Sequence, residues 1–103
     1  MKRMRSYNEY LTDELQDAEY RREFLLALLR GEKGLEPLSL LEAIKYIVEV
    51  MGVKEFAELT GLQSANVSRF YHSEDLPKIS SLNKMLKPFS LKVKIDVEVI
   101  DVA

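Results

Sequence analysis

Along most of this chain apolar residues recur at helical spacing, and they switch to strict alternation only near its end. Ser6-Tyr7-Asn8-Glu9 has the form of a capping box, which predicts a helix with Tyr7, Leu11 and Leu15 on one face. Asp17 is placed to cap a second helix reaching about Arg30, with Tyr20, Phe24 and Leu28 inward and Gly31 as its stop. Gly31 to Pro37 holds two glycines and a proline and reads as a linker. Ser39 opens the most strongly patterned helix, where Leu41, Ile44, Val48 and Met51 share a face, and Gly52 ends it.

From Val53 to Tyr71 the pattern is helix, glycine turn, helix. Ala57 is small enough for two helices to approach, and Gly61 falls where a left-handed backbone is needed. Leu62, Val67 and Phe70 return the second helix onto the first. Ser73 to Pro77 is a polar loop; Ser80 or Ser81 is expected to cap a further helix to about Lys87. Leu82, Met85 and Leu86 then face inward and Pro88 stops it. From Leu91 to Val102 the period becomes two. Leu91, Val93, Ile95, Val97 and Val99 alternate with Lys92, Lys94, Asp96 and Glu98, which predicts a strand with one apolar face.

A lone strand has no partner in its own chain, and unpaired backbone edges are costly or adhesive. Pairing with the same strand of a second subunit, or with another protein's sheet edge, would satisfy it. The alternative is a strand folded back on a helix, or frayed.

The 103 residues suit one domain. With 47% hydrophobic and 31% charged residues, the chain is expected to fold. It contains no cysteine, which excludes a disulfide framework and a thiolate metal site and fits the reducing cytoplasm. No apolar run is long enough to span a bilayer, and no signal-peptide core follows the basic Met1 to Arg5. A net charge of −2 hides a polarity. Glu9, Asp13, Glu14, Asp17, Glu19 and Glu23 crowd the N-terminal part, whereas Lys78, Lys84, Lys87, Lys92 and Lys94 occupy a stretch without acids. Those lysines could simply solubilise a surface, but their place directly after the two-helix pattern also suits phosphate contact.

Helix, glycine turn and helix in this order form the pattern of a DNA-reading motif. With Val67 at the centre of the buried face, Phe70 and Tyr71 fall beside it and Ala65 and Arg69 nearly opposite. The outward set is Gln63, Ser64, Ala65, Asn66, Ser68 and Arg69. An arginine can fork onto guanine, Gln63 or Asn66 can pair with adenine, and Ala65 can touch a thymine methyl. The plainer alternative makes Ser64 or Gln63 a helix cap and pairs Arg69 with Glu58 or another exposed acid. His72 is the single histidine, so a histidine metal cluster is excluded. Asp13–Glu14 and Glu74–Asp75 read as surface acids, and Tyr7, Tyr10, Tyr20 and Phe24 as core or interface aromatics. No phosphate loop, nucleophile elbow or metalloprotease motif occurs, so neither enzyme nor cofactor is expected.

Phe56-Ala57, Gly61-Leu62, Val67-Ser68-Arg69 and the later Pro77-Lys78-Ile79-Ser80-Ser81-Leu82 carry a resemblance. Over Val53 to Leu91 the chain resembles the lambda-repressor-like (Cro/cI, XRE) helix-turn-helix family. Ser6-Tyr7-Asn8-Glu9-Tyr10-Leu11 followed by Asp17-Ala18-Glu19 is similar to addiction-module antidote proteins, the HigA-like antitoxins. The resemblance implies a homodimer that represses its own operon and neutralises a RelE/HigB-like ribonuclease toxin. Gln63, Ser64, Ala65, Ser68 and Arg69 would then face the major groove of a double-stranded operator. Gln63 stands where a Ser, Thr or Asn cap is more usual, and the terminal strand outruns the family's short tail. The expectation is a mainly α, five- to six-helix domain, with 1–37 as N-terminal helices and linker, 38–90 as DNA-binding core and 91–103 as a strand for dimer or partner pairing. The rivals are a stand-alone repressor without a toxin, and an interaction module that keeps the motif only as scaffold.

Overall fold

A computed structural model describes residues 7–32 and 34–101, with backbone alone for Tyr7 and Asn8. Six α-helices and one short 3-10 helix occur among them: α1 (Tyr7–Glu14), α2 (Ala18–Arg30), α3 (Leu40–Met51), α4 (Val53–Thr60), α5 (Ser64–His72), α6 (Ile79–Leu86) and η1 (Lys87–Phe89). The fold is mainly helical, as the periodicity predicts. Ser6, the expected cap of α1, lies outside the described residues, as does the Tyr7 side chain.

Local chemistry explains most boundaries. The Asp17 carboxylate accepts the Tyr20 N–H at 2.9 Å and opens α2. Gly31 closes it in the left-handed region, its N–H donating to the Ala27 carbonyl at 2.9 Å. At α3 the capping is reciprocal: the Ser39 hydroxyl accepts the Glu42 N–H at 3.1 Å, and the Ser39 N–H donates to Glu42 Oε1 at 3.0 Å. The backbone N–H and then the hydroxyl of Ser39 hold the Glu42 carboxyl below its ordinary 4.5, with slight burial acting against them. Gly52 alone separates α3 from α4.

α6 begins earlier than its serines suggest. Ile79 is its first residue and Lys78 stands at the cap without a side-chain bond, so neither Ser80 nor Ser81 caps it. Pro88 falls within η1, where its missing N–H costs little. Nor does Gly31 to Pro37 behave as a free linker: the Leu38 N–H donates to the Leu28 carbonyl at 3.0 Å, folding the segment back on the end of α2.

α3 packs against α1, α2 and α4, α4 in turn against α5, α6 and η1, and η1 is wedged among α2, α4 and α6. Leu11 of α1, Leu15 just after it and Leu25 of α2 share one buried cluster with Ile44, Ile47 and Val48 of α3, Phe56 of α4, Val67 and Phe70 of α5, and Leu82, Met85, Leu86 and Phe89. Fully buried Phe56 is central, and Phe56→Ala would cost about 3–5 kcal/mol. No described helix is long and apolar enough to cross a membrane.

The expected C-terminal strand is not formed. Residues 91–101 leave η1 through Ser90, whose φ of 59° turns the chain outward, and run without regular structure among the described residues. Leu91 and Val93 lean on the core, whereas Val97 and Val99 are 88% and 98% exposed. Alternation confers strand propensity, but a strand also needs a neighbour for its hydrogen bonds, and a single copy supplies none.

Candidate nucleic-acid interface

α4 and α5 pack closely across a three-residue connection, Gly61 to Gln63. Gly61 takes φ 77° and ψ 10°, and its N–H donates to the Ala57 carbonyl at 2.9 Å. This left-handed residue ends α4 and lets the chain reverse without opening a gap. Thr60 steadies the corner: its hydroxyl donates to the Phe56 carbonyl at 2.8 Å and lies 3.4 Å from the Leu62 N–H, which it accepts.

Buried Val67 and Phe70 fix the rotation of α5, with Leu62 and Tyr71 half-buried beside them. Gln63, Ser64, Ala65, Asn66 and Arg69 are exposed. Ser68 is half-buried and stands at the margin of that face instead of within it. The first turn of α5 has no side-chain cap, so neither Gln63 nor Ser64 occupies its N–H groups. Those N–H groups and the positive end of the helix dipole therefore face outward with Gln63 and Ser64.

Arg69 does not pair with Glu58. Its Nη1 donates to Asn66 Oδ1 at 2.8 Å, one turn back on the same face. The bond restrains a long side chain and fixes the edge of the guanidinium that remains available. Asn66, Arg69 and Phe70 also line a groove of about 390 Å³, closed on the other side by Leu76, Pro77, Lys78 and Ser81. Lys78 thus stands beside the α5 face. Lys84 lies on the exposed side of α6 and lines no part of that groove.

Two bonds that sequence reasoning missed tie α5 to α3. The Lys45 ammonium donates to the Ser73 carbonyl at the end of α5. The Tyr71 hydroxyl donates to Glu49 Oε2 at 3.3 Å, and the Glu49 charge, ahead of burial and that bond, pushes the Tyr71 phenol above its ordinary 10.0. Lys45 and Glu49 are four residues apart on α3, and that spacing is the single hint in the sequence of a shared docking face.

Of the residues predicted to pair with a partner, Leu91 and Val93 pack on the core and Ile95, Val97 and Val99 project into solvent. No group of histidine, cysteine or carboxylate side chains that could hold a metal ion occurs among the described residues. No family model, no curated protein and no solved structure matches the chain.

Proposed function

We propose that this chain is a lambda-repressor-like helix-turn-helix regulator that reads a double-stranded DNA operator with α5, and that it acts as a homodimer joined through the C-terminal segment. One observation carries the DNA reading. An exposed helix face presents Gln63, Ser64, Ala65, Asn66 and Arg69 together, beside an uncapped first turn and next to Lys78. That combination offers base-edge donors and acceptors on one side and phosphate contacts at its border. The similarity of the N-terminal residues to HigA-like antitoxins supports the fuller reading, in which the chain represses its own operon and neutralises a RelE/HigB-like toxin. A short, basic reading frame beside its gene would favour the antitoxin over the stand-alone repressor.

The test is binding to the DNA upstream of its own gene, compared with random DNA over a salt series. Arg69→Ala should cost about 1–3 kcal/mol on the operator and little on random DNA. Lys78→Ala and Lys84→Ala should weaken both alike and each lower the salt slope by about one. Wild-type protein that binds the operator no better than random DNA defeats the repressor reading and leaves the scaffold reading in its place.

A further inference from the structure

The segment after Ser90 is tied to the helices only at its start. Among the described residues, the N–H of Leu91 donates to the Leu86 carbonyl at 3.2 Å and that of Val93 to Asn83 Oδ1 at 2.8 Å. The N–H of Val97 donates to its neighbour Asp96 at 2.9 Å. These are odd-numbered residues. Among the described residues no such bond is made by the N–H groups of Lys92, Lys94, Ile95, Asp96, Glu98 or Val99, so past Val93 the backbone is open to a partner.

We infer that residues 91–99 of two copies pair antiparallel about Ile95, in a register selected by their own charges. This deepens the tail-mediated dimer proposed above and rests on it. With Ile95 facing Ile95, residues equally distant from it face each other. Lys94 then meets Asp96, Lys92 meets Glu98, Val93 meets Val97 and Leu91 meets Val99. Every charge finds an opposite charge and every apolar residue an apolar one.

Other registers lose this match. Sliding by two residues one way puts Lys94 against Lys94, and the other way puts Asp96 against Asp96. A parallel, in-register pair sets like on like throughout. A slide by one residue sends apolar side chains to the opposite face. The backbone is compatible with the charges, because at Leu91 and Val93 the odd-numbered N–H groups are taken up by Leu86 and Asn83, which leaves the even edge to run the whole length of a pair. Joining even edges makes Lys92–Glu98 and Lys94–Asp96 the hydrogen-bonded pairs, and Ile95–Ile95 a closer, non-hydrogen-bonded pair. The apolar face so formed continues from Leu91 and Val93, which already lean on the core, to the exposed Val97 and Val99 of the second copy.

The chain has no cysteine, so introduced thiols report the register directly. Ile95→Cys should oxidise to a covalent dimer, since a non-hydrogen-bonded pair sets Cα atoms about 4.5 Å apart, within disulfide reach. Val93→Cys alone should not, because its two copies would be offset by about 13 Å along the ribbon. Mixed with Val97→Cys, it should crosslink.

Charge variants give an independent reading by sedimentation of DNA-free protein. The Lys92→Glu/Lys94→Glu and the Asp96→Lys/Glu98→Lys double variants should each dissociate at least about tenfold more readily than wild type. Mixed together, they should pair again. The helical part of the far-ultraviolet circular dichroism should stay unchanged in both, since the helices end before the segment. Self-crosslinking of Val93→Cys as fast as Ile95→Cys, or double variants that dimerise like wild type, would overturn the register while the dimer stands. A monomeric wild type overturns register and dimer together. DNA takes no part in these measurements, so failure of operator binding is registered separately.

Discussion

Arg21 shows what a single residue does that composition hides. It lies within the acidic stretch, yet its half-buried guanidinium bonds to carbonyls: Pro88 at 2.7 Å, Leu15 at 2.9 Å and Gln16 at 3.4 Å. It therefore joins the end of α1 and η1 to α2. Arg21→Met keeps the apolar stem and strands those carbonyls, so urea unfolding should show a loss of about 1.5–3 kcal/mol. Arg22→Met removes only an exposed 3.3 Å pair with Glu23 and should change stability by less than about 0.5 kcal/mol. Equal effects would remove Arg21 from its joining role. At this scale the inward residues were readable, because a rotation of about 100° per residue places Val67 and Phe70 on one face. The bonds of Arg21, Lys45 and Asn83 were not, because each acceptor or donor comes from a chain reversal that periodicity does not encode.

Elements were legible where a cap and a period agree. Asp17, Ser39, Gly31 and Gly61 all mark ends that the structure keeps. α6 starts ahead of Ser80 and Ser81, which have the chemistry of caps, and its buried Leu82, Met85 and Leu86 hold it in place. Two of the four positive-φ glycines, Gly31 and Gly61, separate conformation from space. A side chain at Gly61, φ 77°, would meet nothing within 4 Å, so Gly61→Ala carries only backbone strain, about 1 kcal/mol. At Gly31, φ 71°, a new Cβ would fall 2.7 Å from the Leu35 carbonyl oxygen and 2.6 Å from Pro37 Cδ. Gly31→Ala must therefore also push the returning segment away from α2. Its thermal midpoint should fall clearly further than that of Gly61→Ala, and an equal fall would mean that the segment yields freely. Operator affinity should respond the other way round, because Gly61 orients α5 and Gly31 does not touch it.

For the whole molecule, the C-terminal segment is where sequence and single-copy structure part, and physical chemistry says why. Ten residues of alternating pattern state which face is apolar, but a ladder needs a second edge. The exposure of Ile95, Val97, Val99 and Ile100 in one copy is the expected condition of such a segment before it pairs. Truncation after Leu91 tests its part in function. The helices and their buried cluster lie upstream, so helical content should be unchanged apart from the loss of the Val93 bond to Asn83. The truncated chain should sediment as a monomer. Its α5 face is intact, so binding to one half-site should persist with the Arg69 dependence of the full chain. Affinity for an operator with two half-sites should fall by at least about 100-fold, because the second contact is no longer tethered to the first. A truncated chain that stays dimeric, or that binds the two-half-site operator as tightly as before, would assign dimerisation to the helices and leave the charged segment without this role.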